Sequence, residues 1–336
     1  MSERAALIED FLARHGWAGA ARRPLAGDAS FRRYERLSNA AGSSIVLMDA
    51  PPPHEDVRPY LALARHLVSI GLSAPRVYAA DETVGLLLIE DLGDANMAAL
   101  VGRAEDAAAL YVLALDTLIA LHRHPRARAI AVPAYDDARM LSEAMVLLDW
   151  YLPSLTGAPV PEGVRADYRA RWQAVLPRAR SVPESLVLRD FFPDNLMLLR
   201  DRAGIAACGL LDFQDAVIGP VTYDLVSLLE DARREVPAEL QATLIARYLA
   251  AFPALERQAF AASYAIMGAQ RNLRILGVFT RLCMRDGKPW YLDHIPRIWR
   301  LIERDTAHPA LEPVREWLAR QLPQEMRRAP AREAVR

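Results

Sequence analysis

The stretch Leu186-Val187-Leu188-Arg189-Asp190-Phe191-Phe192-Pro193-Asp194-Asn195-Leu196-Met197-Leu198-Leu199, followed by Leu210-Leu211-Asp212-Phe213-Gln214, constrains this chain most. An apolar run reads as a buried strand, and Asp190 stands at its end. Four residues separate Asp190 from Asn195, and a second apolar strand opens at Leu196. A third strand, Ala206 to Leu211, delivers Asp212 at its tip. Three short oxygen-bearing side chains are thus expected at the ends of adjacent buried strands. Oxygen donors suit Mg²⁺, a hard cation that keeps waters and takes few protein ligands. Asn195 and Asp212 are the candidate ligands, and Asp190 the candidate acceptor of a hydroxyl proton.

Composition narrows the alternatives. The chain has 336 residues, 52% of them hydrophobic, with a net charge of −1, enough for two lobes and a sizeable core. Near-neutral charge gives no reason to expect nucleic acid or a membrane surface as partner. No apolar run reaches the roughly 18 residues of a membrane span, and no signal-peptide pattern opens the sequence, so the expected compartment is the cytoplasm. Cys208 and Cys283 cannot build a disulfide framework; Cys208 reads as a small core residue. Lys288 is the only lysine, and Pro289 follows it, so a Walker-type phosphate loop is excluded.

The ordered set Asp190, Asn195, Asp212-Phe213 and then Asp224 before the apolar run Leu225-Val226-Ser227-Leu228-Leu229 resembles the aminoglycoside phosphotransferase superfamily. A lone Asp and Asn at that spacing would be only a turn; the full order, each Asp beside an apolar run, is far more specific. The resemblance implies an α+β, bilobal, protein-kinase-like fold with a small antiparallel-sheet N-lobe and a larger, mainly helical C-lobe. It also implies ATP and Mg²⁺ as cofactors and Asp224 as a brace of the catalytic loop. The family's catalytic loop usually begins with His two residues before the Asp; here Leu188 stands there.

The pattern along the chain agrees. A helix is expected from Ala5 to Arg14, strands at Arg22–Ala26, Phe31–Leu37 and Ser44–Asp49, a helix at Val57–Ile70, and strands at Arg76–Ala79 and Val84–Ile89. The segment Glu90-Asp91-Leu92-Gly93-Asp94 is the expected hinge, where the resemblance has Glu90 and Leu92 hydrogen-bonding adenine through the backbone. The lobes therefore divide as 1–92, nucleotide-binding, and 93–336, carrying the catalytic loop, metal and acceptor. Helices are expected at Glu105–His122, Tyr135–Tyr151, Gly163–Val175, Tyr223–Ala232, Pro237–Ala251, Leu255–Leu282 and Trp290–Arg304, with a polar, frayed tail after Leu322.

Gly27-Asp28-Ala29-Ser30-Phe31-Arg32-Arg33-Tyr34 lies where kinases carry their glycine-rich phosphate loop. Asp28 and Ser30 are candidate nucleotide-binding residues, since small residues let backbone N–H groups approach phosphate and Ser30 adds a hydroxyl. The strand lysine that usually holds the α- and β-phosphates is missing, with Met48 or a neighbour in its place. Arg32 and Arg33 point to opposite faces of a strand, so one of them can replace it. Arg189, if turned inward, would favour the Asp190 carboxylate.

At the acceptor end, residues 271–300 hold Arg271, Arg274, Arg281, Arg285, Lys288, Arg297 and Arg300 against Asp286 and Asp293. That balance argues against a polycationic acceptor. Gly27–Tyr34, Leu47–Pro52, Leu211–Val217, Gly219–Leu229 and Gln270–Phe279 together resemble the N-acetylmuramate/N-acetylglucosamine anomeric kinases of cell-wall recycling. The resemblance implies phosphorylation of a small-molecule sugar at its C1 hydroxyl by a monomer, with the muramate carboxylate a partner for C-lobe arginines. Two other readings stay open. One is a kinase of another small hydroxylated metabolite, such as choline caged by Trp150, Tyr151, Trp290 and Tyr291. The other is a nucleotide-binding pseudokinase, suggested by the missing lysine and Leu188.

Overall fold

The elements of the computed structural model follow the hydrophobic periods closely. Residues 3–25, 31–102 and 107–331 are described. In chain order the structure runs α1 (Glu3–Arg14), β1 (Ala21–Leu25), β2 (Arg33–Ser38), β3 (Ser44–Asp49), α2 (Arg58–Ser69), β4 (Val77–Asp81) and β5 (Leu86–Glu90). Then come α3 (Met97–Val101), α4 (Ala107–Arg123), α5 (Asp137–Ala144), α6 (Leu152–Thr156) and α7 (Glu162–Ala179). Strands β6 (Glu184–Val187), β7 (Leu196–Leu198), β8 (Cys208–Leu210) and β9 (Val217–Pro220) follow. The chain closes with α8 (Thr222–Leu229), α9 (Ala238–Ala251), α10 (Arg257–Met284), α11 (Ile295–Thr306) and α12 (Glu312–Gln321). Two compact units result: Met1–Ala131 with Pro193–Ala216, and Val132–Phe192 with Val217–Arg336.

The first unit is built on an antiparallel five-stranded sheet of order β1-β2-β3-β5-β4. Ile45 and Leu47 of β3, with Leu86 and Leu88 of β5 and Leu37 of β2, pack on Ile8, Phe11 and Leu12 of α1. The intervening Val46, Met48, Leu87 and Ile89 are buried as well. Both faces of the two central strands are therefore covered, which is why they read as unbroken apolar runs rather than alternating ones. The β2–β3 hairpin turns at Asn39, whose side chain accepts from the backbone of Ala41 (3.1 Å) and Ser43 (2.9 Å). Gly42 supplies the left-handed residue the turn needs (φ 80°). Cys208 is fully buried, and burial pushes its thiol up to about 12, as fits a core residue.

The second unit is organised around α10, 28 residues long and buried over much of its length. It packs against α7, α8 and α11, in a core holding Trp172, Tyr168 and Trp317. Among the described residues, no helix is long and apolar enough to cross a membrane.

Several expected boundaries change for identifiable reasons. The helix expected over Tyr135–Tyr151 begins only after Asp136, whose side chain caps it by accepting from Arg139 N (2.9 Å). Tyr135 itself is extended and donates its N–H to Ile218 O at 2.7 Å. At Leu147–Tyr151 the helix widens into a π turn. The helix expected from Trp290 is instead a 3₁₀ turn at Pro289–His294 followed by α11, with Pro296 in the first turn of α11, where its missing N–H leaves no helical hydrogen bond unmade. The strand expected over Ala206–Leu211 is a 3₁₀ turn followed by β8 alone.

The short β9 was not foreseen, nor was α12, despite Val314, Trp317 and Leu318 at helical spacing. The segment after Leu322 is tied down as far as Arg328: Tyr151 Oη donates to Arg328 O (2.8 Å), and Arg327 lies 5.2 Å over the Trp299 ring. The three strands that carry the acidic tips do not lie side by side in one sheet. β6 pairs with β9, and β7 with β8, in two separate ribbons. Each ribbon is too short to show its partner in the sequence.

The π turn coincides with a close approach of α10. A Cβ placed on Gly277 would lie 2.3 Å from Val146 O and 3.0 Å from Leu147 N, both backbone atoms that cannot swing aside. Alanine raises helix propensity by about 1 kcal/mol over glycine, but overpacking of this kind costs roughly 1–3 kcal/mol. Gly277→Ala is therefore expected to lower the urea midpoint despite the better helix former. A midpoint unchanged or raised would show that the two elements can separate freely.

Candidate functional site

The loop that follows β6 is held from below by one carboxylate. Asp224, in the first turn of α8, accepts from Leu188 N (2.6 Å) and Arg189 N (2.8 Å), and Ser227 Oγ donates to Arg189 O (3.1 Å). Asp190 N donates to Leu188 O and Phe192 N to Asp190 O, which winds the loop tightly and leaves the Asp190 side chain half-buried. Arg189 pays a conformational penalty, since its φ of 71° is left-handed and costs a non-glycine residue about 1–2 kcal/mol. Among the described residues, only Arg189 and Asp212 are non-glycines with positive φ. Such strain persists where surrounding contacts over-determine it, and it clusters at functional positions. Burial pushes the Asp224 carboxyl up to about 7; the two N–H donors and Arg271 pull it down, and the charge of Asp190 pushes it further up.

The Arg189 guanidinium is buried and donates to Glu143 Oε1 at 2.6 Å. Glu143, in α5, also accepts from Tyr135 Oη (2.8 Å) and lies 3.4 Å from Arg274 Nε. Gln270 locks the group, accepting from Tyr135 Oη (3.2 Å) and donating to Met140 O (2.9 Å). Arg189 thus anchors the loop to α5.

In the first unit, the β7–β8 ribbon sets Asn195 and Asp212 at the same end. Leu196 pairs with Leu210, and just beyond that pair Leu211 N donates to Asn195 O (2.9 Å). Asn96 fixes the turn before it, donating to Asp194 O at 2.6 Å while capping α3. Asp212 is exposed in a left-handed conformation (φ 57°), accepts from Gln214 Nε2 (2.9 Å), and is followed by Phe213, stacked on Tyr60 at 5.0 Å. No group of three His, Cys, Asp or Glu residues that could hold a metal occurs among the described residues. An amide and a carboxylate oxygen at one ribbon end still fit Mg²⁺, which takes its other ligands from water and phosphate.

At the nucleotide end, Asp28 and Ser30 lie outside the described residues. The two arginines separate as strand alternation requires: Arg33 is exposed, whereas the Arg32 side chain is 14% exposed and pairs with Glu55 at 2.9 Å. Burial opposes the Arg32 charge, but Glu55 and Tyr34 outweigh it and hold the guanidinium above its ordinary value. Glu55 also accepts from Phe31 N (3.1 Å). Glu55, just ahead of α2, thus meets an arginine rather than a lysine. Burial raises the Tyr34 and Tyr60 hydroxyls, and the charge of Asp212 adds to both, so Arg32, Tyr34, Tyr60 and Asp212 share one neighbourhood. Met48 is buried at the missing lysine's position and packs as core, between Tyr34 and Leu87 in the sheet register. In the expected hinge, Glu90 pairs with Arg202, while Asp91 accepts from Arg36 (2.8 Å) and Ser44 (2.7 Å). Leu92 lies against Gly209 of β8, where a Cβ would come within 3.0 Å of Leu92 Cδ1.

The basic run of residues 271–300 is not one patch. Arg271 is buried toward Asp224, Arg285 pairs with Asp286 (2.7 Å), and Arg297 donates to Asp231 O (2.9 Å). Arg274 and Arg281 remain on one face of α10. The aromatic set considered as a cation cage also disperses: Tyr151 is buried against Trp299, and Tyr291 packs on Phe279 at 4.8 Å. A cage does exist at Phe192, Phe279 and Tyr291, and the protein's own Arg233 fills it, 4.9 Å over Phe192.

The sequence pattern of the phosphotransferase enzyme family matches residues 21–260. The N-acetylmuramate/N-acetylglucosamine kinase of Caulobacter vibrioides is 39% identical, over 97% of this chain and 99% of that protein. The Pseudomonas aeruginosa protein of the same name is 38% identical, over 90% and 88%. Among solved structures, a choline/ethanolamine kinase family protein from Mesorhizobium loti superposes with a TM-score of 0.60 at 15% identity, over 93% of this chain and 99% of that one. The ADP-bound aminoglycoside phosphotransferase APH(2'')-Ib gives 0.60 at 14% identity, over 89% and 97%. These structures establish the protein-kinase-like fold expected from the motif order. The chain is a phosphotransferase and belongs to the phosphotransferase enzyme family, alongside the proteins named N-acetylmuramate/N-acetylglucosamine kinase.

Proposed function

We propose that this chain is an ATP-dependent sugar kinase that phosphorylates the anomeric C1 hydroxyl of N-acetylmuramate, N-acetylglucosamine or both, in cytoplasmic peptidoglycan recycling, and works as a monomer. The observation that carries the chemistry is Asp190, offered from a strained loop that Asp224 clamps through two backbone N–H groups. The sugar follows from relatives of that name at 37–39% identity.

Asp190 orients the C1 hydroxyl and takes its proton as the oxygen bonds to the γ-phosphorus and the bridge to ADP breaks. Such transfer is loose, so positioning and charge carry most of the catalysis. A hemiacetal hydroxyl is more acidic than an ordinary alcohol, which lessens the base strength required. Asn195 and Asp212 would hold Mg²⁺, which when bound neutralises charge on the phosphate oxygens. Residues 1–92 bind the nucleotide: Glu90 and Leu92 through backbone groups, Asp28 and Ser30 at the phosphates, and Arg32, steadied by Glu55, in place of the missing lysine. Residues 93–336 carry the acceptor and the catalytic loop, which Arg189 and Asp224 position.

Three outcomes test this reading. Supplied with ATP and a panel of sugars, the protein should form an acid-labile sugar 1-phosphate, and Asp190→Asn should lower kcat by roughly 10²–10⁴ with nucleotide affinity nearly unchanged. A parallel loss of ATP binding would make Asp190 a structural or metal residue.

Arg32→Ala should raise the ATP KM by about 10–100-fold, the equivalent of a lost charge-assisted contact of roughly 1.5–3 kcal/mol. Arg33→Ala should be nearly silent. If both are silent, backbone and metal alone hold the phosphates.

The third outcome concerns pH. The Asp224 carboxyl is raised in the folded state to about 7, facing Asp190, Arg271 and Tyr248. Its contribution to stability is therefore fully present below the unfolded carboxyl value and lost as pH rises through about 7. The ionised form holds the loop better, so kcat should climb over the range in which this contribution fades. Wild type and Asp224→Asn, compared by melting temperature from pH 5 to pH 8, should differ in slope; parallel curves would remove Asp224 as the cause.

A further inference from the structure

We propose that Arg274 and Arg281 form an acceptor subsite for a carboxylate, selecting acid-bearing amino sugars over neutral ones; the inference rests on the sugar-kinase reading above. It begins from an imbalance of charge around Glu143. That single carboxylate serves three guanidiniums: Arg189 at 2.6 Å, Arg274 at 3.4 Å and Arg139 at 3.8 Å. One of its oxygens is further engaged by the Tyr135 hydroxyl. Arg189 makes the short, buried contact, so Arg274 holds Glu143 only loosely and keeps 26% of its side chain exposed.

Arg281 lies seven residues further along α10, two turns on and over the same face. Its Nε is buried without an acceptor, an arrangement that leaves a charged donor unsatisfied. Burial, then the charges of Arg285 and Arg274, lower its affinity for the proton, and Asp286 only partly compensates. A cation in that position calls for an anion.

Arg274 also lies where the acceptor must be, with Arg281 beside it on the helix. The surroundings of Arg274 include Tyr223, Glu143, Tyr135 and, among the carboxylates, Asp190, the proposed proton acceptor. Tyr223 brings a buried hydroxyl with no hydrogen-bond partner to the same place, next to both Arg189 and Arg274. Two guanidiniums and one hydroxyl are all donors. An anionic oxygen group of the acceptor would satisfy them, and a polycation would be repelled. Muramate differs from glucosamine in its ring substituent by a lactyl ether ending in a carboxylate. A second source of anionic oxygen is the transferring phosphoryl group, which every acceptor shares. The two sources therefore predict different substrate dependence.

The experiment measures kcat/KM of the wild type, Arg274→Gln and Arg281→Gln on N-acetylmuramate, its methyl ester and N-acetylglucosamine. Glutamine keeps much of the bulk and hydrogen bonding while removing the charge. Each variant is expected to lose about 10–100-fold on N-acetylmuramate, mainly through KM, and to stay within about threefold on N-acetylglucosamine. The wild type should lose a similar factor when the carboxylate is methylated. Equal losses on both sugars would assign the arginines to the phosphoryl group or to the fold, and unchanged constants on both would remove them from the site; either result overturns the proposal. A wild type that turned over neither sugar would instead overturn the functional reading, and this inference with it.

Discussion

Two backbone N–H groups aimed at one buried carboxylate hold the functional end of the second unit. Asp224 belongs to a helix buried from Thr222 to Leu229, so it cannot turn toward solvent. A carboxylate there is tolerable only if hydrogen-bonded, and the donors available are those of Leu188 and Arg189. Presenting both to one side chain forces the chain into the left-handed turn at Arg189. That turn sets the direction in which Asp190 leaves the loop. Burial raises the carboxyl of Asp224, and the two N–H donors, presented at the cost of strain at Arg189, partly offset that rise. Leu188, buried where the family commonly has histidine, contributes its N–H to the clamp and its side chain to the core.

The near absence of lysine shapes the first unit similarly. A guanidinium carries five donors in a fixed plane and can join three elements where an ammonium would make a point contact. Arg4 of α1 ties Asp49 of β3 to the carbonyls of Val84 and Gly85 ahead of β5. Arg36 of β2 grips Asp91 and Asp94 and the carbonyl of Gly93, holding the segment that follows β5. Arg32 does the same for Glu55 and Tyr34. Exposed ion pairs such as Arg36–Asp94 contribute little, but Arg4–Asp49, Arg32–Glu55 and Arg36–Asp91 are largely buried, where such contacts are stronger. Met48 of β3 is buried and packs as core, and on the reading proposed above Arg32 supplies the cation in its stead.

Much of this was legible in the sequence, for physical reasons. The strands of the first sheet are covered on both faces and flanked by turn residues, so β3 and β5 stand out as apolar runs. Asp190, Asn195 and Asp212 stand out as candidates because each follows or precedes such a run. What sequence could not show is pairing. β6 might have joined β7 or β9, and three- or four-residue strands hold too little pattern to decide. The Arg32–Glu55 pair joins residues far apart in the sequence, with no periodic pattern to announce it. The basic run of residues 271–300 could be counted in the sequence but not given a direction, since a helix distributes successive charges around its axis. Arg271 faces the core beside Asp224, while Arg274, one turn on, faces the Glu143 cluster.

That last distinction bears on how one fold serves different acceptors. Structures at 14–15% identity share the architecture with this chain, so the architecture alone cannot choose a substrate. The clamp on the catalytic loop uses backbone groups and one aspartate, and it is indifferent to what carries the hydroxyl. Selection must come from side chains added around it, and here these are positively charged. The one aromatic cage of the second unit described above, at Phe192, Phe279 and Tyr291, is filled by Arg233, so an aromatic surface that could have received a quaternary ammonium instead holds another cation of the protein. Glu143, the carboxylate nearest the loop arginine, is already shared by three guanidiniums. Both features make a cationic acceptor unfavourable by charge repulsion rather than by shape. A surplus of donors without acceptors is costly to bury in any enzyme, and it persists most simply where the missing acceptor arrives with the substrate.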